Sequence, residues 1–190
     1  MSFFVWSKMG IESGEQLGEI VARKEAERQA GRNIFWWGIG TSLGPKLGEV
    51  ARAAGGTLPV LFTKMLSRAK PVDTTPATVW RWTAWEDANG EVHDIPSHVR
   101  LLSRGAAGKH RHYALVCRSE APIFMREGGA RFDPTRCLTP AGKIPDARQV
   151  TALLDGDPDG HDTGAYRICF QAVLVAPLCV KLVRRDEAHD

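Results

Sequence analysis

The sequence predicts an α+β fold: a mostly antiparallel, curved sheet or small β-barrel with two helices near the N-terminus packed on it. Three observations lead there. Short apolar runs of strand character recur along the whole chain. Helical periodicity is strong at only two places, both ahead of Gly55. The regular strand–helix alternation of a parallel sheet is absent.

Size and composition set the frame. A chain of 190 residues, 43% apolar and 25% charged, fits one domain spanning 1–190 with a real core. No apolar run approaches the ~20 residues that cross a bilayer, and residues 1–8 lack the charged lead of a signal peptide, so a cytoplasmic protein is expected. The four cysteines, Cys117, Cys137, Cys169 and Cys179, form no C-x-x-C pair and read as buried thiols. A net charge of +3 and a pI near 8.8 permit contact with nucleic acid without arguing for it alone.

In chain order, residues 3–8 read as a first strand. Ser13 and Gln16 have the spacing of a capping box. Leu17, Ile20, Val21 and Lys24 follow at helical spacing, with Arg23, Glu25, Glu27 and Arg28 as a charged outer face and Gly31 as the C-terminal cap. The run 33–44 opens as an aromatic strand and ends in a small-residue turn. Pro45 stands where a first-turn proline costs no hydrogen bond, which predicts a second helix over 45–54. Residues 58–66 form a strand apolar enough to be buried on both faces. The polar, proline-stiffened segment 68–76 is a loop. Strand-like runs at 79–85 and 92–95 flank Asn89-Gly90, the strongest hairpin signal in the chain. Two more strands are expected at 99–103 and 112–117. Residues 119–164 read as a less regular embellishment with one short helix at 147–154. The apolar run 166–183, interrupted at Ala176-Pro177, reads as two strand segments or one bulged edge strand.

The central run carries the candidate site. Adjacent residues of a strand point to opposite faces, so Trp36 and Trp37 cannot share one layer of the core. Two readings are open: both rings are core, one on each face of a sheet covered on both sides, or one stands uncovered as an aromatic pocket wall, with Gly38 and Gly40 letting backbone or a ligand approach it; the site reading builds on the second. Three other motifs fall short. Lys109-His110-Arg111-His112 offers two imidazoles but no further metal ligand at a convincing spacing. The stretch 155–160 begins like a calcium loop, yet Tyr166 stands where the closing glutamate belongs, so a tight acidic turn is the better reading. Gly38-x-Gly40 lacks the rest of a dinucleotide fingerprint. No catalytic motif, cofactor motif or metal site emerges.

The order of parts has a precedent. A strand ending Trp6-Ser7-Lys8, a capped helix, a Trp-containing strand with a Gly/Thr/Ser turn, a second helix, Pro59-Val60-Leu61-Phe62, Val79-Trp80-Arg81-Trp82 and Asp94-Ile95-Pro96 together resemble the PUA-like superfamily. The likeness is nearest to its YTH and EVE branch and covers about the first 105 residues. Members of that branch bind modified bases in an aromatic pocket. The resemblance implies Trp37 as the pocket wall, with Trp36 as alternative, Ser7 and Lys8 at the end of the first strand, and Gly38, Thr41 and Ser42 in the turn. Trp82 matches the structural tryptophan. A second cage aromatic, absent from 68–76, would have to come from Trp80, Trp85 or Trp6.

The chemistry that follows is stacking of a base on an indole, with hydroxyl or amide groups reading its edge. The base must be single-stranded or flipped out of a duplex of DNA or RNA. Arg68, Lys70, Arg104, Lys109 and Arg111 are the candidate phosphate contacts. The functional expectation is a non-catalytic reader of a modified or flipped base, acting beside a nuclease on a separate chain. Two alternatives stay open: a small enzyme acting on nucleotides or RNA, as the resemblance to ASCH relatives implies, and a protein-interaction scaffold with exposed tryptophans.

Overall fold

Among the described residues, eleven strands and two α-helices are laid down in the order β1 Phe3–Lys8, α1 Leu17–Ala30, β2 Ile34–Ile39, α2 Lys46–Ala53, β3 Leu58–Met65, β4 Val79–Arg81, β5 Ala84–Glu86, β6 Val92–Asp94, β7 Leu102–Arg104, β8 Tyr113–Arg118, β9 Arg131–Phe132, β10 Thr151–Asp155 and β11 Tyr166–Val183. The structure, a computed structural model, describes residues 2–9, 16–65, 79–104, 112–159, 161 and 163–185, without the side chains of residues 79, 80 and 104. Nine strands form one mixed sheet that curls into a half-barrel, while β4 and β7 pair separately. Across the large sheet the strands follow β2, β8, β11, β3, β1, β10, and every ladder is antiparallel except β1 with β3. The α+β class and the mostly antiparallel, curved sheet are therefore as expected.

Strand β11 is the spine rather than an edge. Its first half pairs with β3 on one side and β9 on the other, and its second half pairs with β8 and β5. The register shifts between Ile168 and Phe170, and again between Leu174 and Cys179. Pro177, which has no N–H to give, falls inside the second shift. The expected edge assignment is corrected: the proline is tolerated in a central strand because it sits where the ladder is already interrupted.

Two further readings change. Residues 151–155 are strand β10, paired antiparallel with β1 from Phe3↔Asp155 to Ser7↔Thr151, and no helix covers 147–154. Thr151, Ala152, Leu153 and Leu154 are all buried, so the run carries no periodicity and cannot be told from a buried helical turn by pattern. With β9 and β10 in the main sheet, 119–164 is not only an embellishment. The Asn89-Gly90 hairpin forms as expected between β5 and β6, with Gly90 at φ +81° and the Asp87 carboxylate accepting from the N–H groups of Asn89 and Glu91. Ser13 lies outside the described residues. At the observed helix start the Gln16 N–H donates to the Glu19 carboxylate.

The sheet is covered on both faces. On the inner face, Val5, Phe35, Trp37, Ile39, Val60, Phe62, Leu115 and Phe170 pack with Ile20 and Val21 of α1 and Leu47 and Ala51 of α2. The outer face carries two clusters. One gathers Phe4, Trp6, Leu61, Phe132 and Tyr166, and the other Trp36, Trp82, Val99, Leu101 and Val116. All four cysteines are free thiols; Cys117, Cys137 and Cys169 are buried as expected, and Cys179 is half-buried. No helix among the described residues is long and apolar enough to cross a membrane.

Helix α1 departs from the amphipathic pattern. Glu27 and Arg28, assigned to a charged outer face by spacing, are buried together with Lys24. The Glu27 carboxylate accepts from Lys24 Nζ at 2.6 Å, from the Arg100 N–H at 2.9 Å and from the Trp36 N–H at 3.3 Å. Burial pulls the Lys24 ammonium down to about 8, against the attraction of Glu27. Beside it, Arg28 holds the Glu25 carboxyl down to about 2, helped by the Ile123 N–H and Gln29.

Replacing Glu27 by Leu strands a buried ammonium and two backbone N–H groups. Thermal and urea unfolding should show a loss of about 3–5 kcal/mol. Glu25 sets an acid limit. Its folded pKa lies below its unfolded one, so its contribution is complete above about pH 4.5 and is lost as pH falls toward 2. Glu25→Gln should flatten the melting temperature against pH across that window, measured by circular dichroism.

Candidate nucleic-acid interface

Strand alternation sorts the candidate residues onto two faces. Trp37 points to the inner face, where its ring centroid lies 4.8 Å from Phe62 and 6.2 Å from Phe170. Phe62 and Phe170 stack on one another at 4.4 Å. Trp36 points outward and meets Trp85 edge to face at 6.0 Å. The rings are 8% and 5% exposed respectively. The expectation that one indole stands uncovered is thus corrected: helices α1 and α2 close over the inner face, and the segment around Val99 and Leu101 closes over the outer.

Ser7 falls on the Trp37 face. It is the register partner of Phe62 on β3 and of Thr151 on β10, and it alternates with Val5 and Met9 of the inner core. Its hydroxyl is fully buried and lies 3.2 Å from that of Thr151. Lys8 falls on the other face. Its Nζ donates to the Ala147 carbonyl at 2.8 Å and stands 5.6 Å from the Trp6 ring and 5.4 Å from the Tyr166 ring. Lys8 therefore does not join Ser7 beside Trp37.

The turn after β2 is less involved than expected. A Cβ on Gly38 would meet only Leu101, at 3.6 Å, so the missing side chain opens the Trp36 side and not the Trp37 side. Thr41 and Ser42 are exposed, and the Ser42 hydroxyl accepts from the Gly44 N–H within the turn. Trp6, a possible second cage ring, is fully buried and donates to Thr63 Oγ1 at 2.9 Å. Trp85 is occupied by His93, stacked at 4.8 Å. Trp82 is in the core as expected, with Nε1 donating to Ser103 at 2.8 Å. The backbone of Trp80 pairs with Ser103 in the small sheet, and that of Arg104 with Val79. Arg68, Lys70, Lys109 and Arg111 lie outside the described residues.

The thiols offer no activated nucleophile. Burial pushes Cys117 up strongly, Cys179 up to about 11, and Cys169 up against the pull of Lys64 and Arg167. Asp87, Glu91 and His93 bring three possible ligand atoms within 4.8 Å of one another on the β5–β6 hairpin. That cluster is already internally satisfied, since one Asp87 oxygen takes two backbone N–H groups and the other meets His93 Nε2 at 2.7 Å.

Sequence reading missed two features. One is Thr151 as the partner of Ser7, hidden because 147–154 read as a helix. The other is a row of cations. Lys64 on β3 stands opposite Arg167 on β11, and Arg167 stands opposite Arg131 on β9. Lys64 follows Phe62 by two residues, so the row continues the ring-bearing face toward the end of the strand. Only strand register could reveal it.

Comparison with protein-family models, with curated proteins and with solved structures finds no match to this chain.

Proposed function

We propose that the protein is a non-catalytic nucleic-acid-binding module of PUA-like type that takes one unpaired or flipped base against the inner face of its half-barrel. The supporting observation is the Ser7–Thr151 pair. Two hydroxyls joined by one hydrogen bond carry two O–H hydrogens and use only one between them. The spare donor lies on a face otherwise built of Trp37, Phe62 and Phe170. A flat heterocycle needs that combination: π surface for its faces and a directed polar group for its edge. Because Trp37 is covered, the base displaces side chains on entry, and its stacking energy of about 1–3 kcal/mol is partly offset by that displacement.

The measurement is anisotropy of short labelled single-stranded DNA and RNA, plain and carrying modified bases. The protein should prefer one modification over its plain counterpart. Ser7→Ala and Thr151→Val, which remove little volume, should each reduce that preference by about 3- to 10-fold, the worth of one hydrogen bond. Trp37→Ala should abolish it, though its large cavity costs about 3–5 kcal/mol of stability, so the hydroxyl variants are the cleaner probes. Equal, weak binding of every oligonucleotide by the unaltered protein would refute the proposal.

A further inference from the structure

We infer that the cross-strand row Lys64–Arg167–Arg131 is the track that receives consecutive phosphates of the bound single strand. The inference rests on the nucleic-acid reading above and names how the polymer reaches that face.

The row is costly in itself. Residues directly opposite on neighbouring strands bring their side chains together on one face, and like charges there are unfavourable. Neighbouring strands lie about 4.8 Å apart, so three cations are set across roughly 10 Å of sheet. That is comparable with the Debye length of about 8 Å at physiological salt, so bulk ions do not screen the neighbours from one another.

The same molecule shows the ordinary solution elsewhere. At the other end of β11, Lys181 stands opposite Glu86 on β5, and the two form an ion pair at 3.1 Å. Arg118 and Arg148 likewise find Glu120 and Asp146. No described carboxylate lies within ion-pairing distance of Lys64, Arg167 or Arg131. The bulge between Ile168 and Phe170 sits immediately beside the row, a place where a strand re-aims its side chains. A row of cations with no carboxylate partner among the described residues is suited to an anion supplied from outside. A linear polyanion suits it better than a single ion, because the charges are set in line. The row also lies on the ring face two register pairs beyond Phe62, where a strand held by its phosphates can deliver a base.

The test uses the full chain with Lys64→Gln, Arg131→Gln and Arg167→Gln, singly and together. Affinity for plain and modified single strands should fall equally. The slope of log affinity against log salt should shrink by about 0.7 for each phosphate contact removed. The variants should melt no lower than the parent, since like-charge repulsion is relieved. Unchanged affinity and salt slope in the triple variant would overturn the inference, as would a lowered melting temperature accompanying the loss. So would binding to anionic phospholipid vesicles that matches or exceeds binding to oligonucleotide. The two proposals fail separately: loss of preference in Ser7→Ala with an intact salt slope speaks only to base reading, and a changed slope with intact preference speaks only to the track.

Discussion

The backbone ladder along β11 is the constraint on which the rest of this structure depends. A strand of ordinary length pairs with two neighbours, but this one pairs with four because its two halves are offset by register shifts. Each shift turns the strand relative to its partners and increases the local twist. The sheet therefore curls, and β2 and β3, separated by β8 and β11 in the strand order, come close enough for Trp37 to touch Phe62. Without that curl the two rings would stand on a flat sheet with two strands between them. The aromatic cluster is thus a product of backbone pairing as much as of side-chain attraction.

Closing the inner face requires helices, and α1 does so in an unusual way. Ile20 and Val21, with the half-buried Leu17, bring its aliphatic surface. The next turns present Lys24, Glu27 and Arg28, and the Glu27 carboxylate takes N–H groups from β2 and from the segment before β7. A buried ion pair of this kind adds little net stability compared with an apolar contact. Its value here is positional, because one carboxylate fixes three chain segments, including the N–H of Trp36. An aliphatic side chain at position 27 would fill space but satisfy none of these donors.

Much of this fold is legible in the chain. Strands β1 and β3, both helices, the Asn89-Gly90 hairpin and the opposed orientation of Trp36 and Trp37 follow from local pattern, because turn chemistry and period-two alternation are local physics. What failed was non-local. Spacing put Glu27 and Arg28 outside, since their partners Arg100, Asn33 and Ser119 reach them only through tertiary folding. Strand β10 was hidden because a run buried on both faces has no period. The covering of both tryptophans was hidden because it comes from segments distant in sequence. Lys64, Arg131 and Arg167 look like scattered surface charge until register aligns them.

The layout of the candidate interface separates two tasks that polymer binding always combines. Charge in a row gives affinity that is independent of sequence and sensitive to salt, while a directed hydroxyl beside stacked rings gives discrimination between bases that depends little on salt. Here both tasks share one face and neighbouring positions of one strand: Phe62 faces Trp37 and adjoins Ser7, and Lys64 begins the charged row two residues later. A sealed inner face is compatible with that division. On the proposed reading the row needs no opening to work, so the polymer would be held before any base is tested. Side chains over Trp37 would then yield only to a base whose edge can use the spare hydroxyl hydrogen. The cost of displacing them would fall on every base alike, whereas the compensation would reach only the one that fits, and a difference of this kind would make a covered face selective.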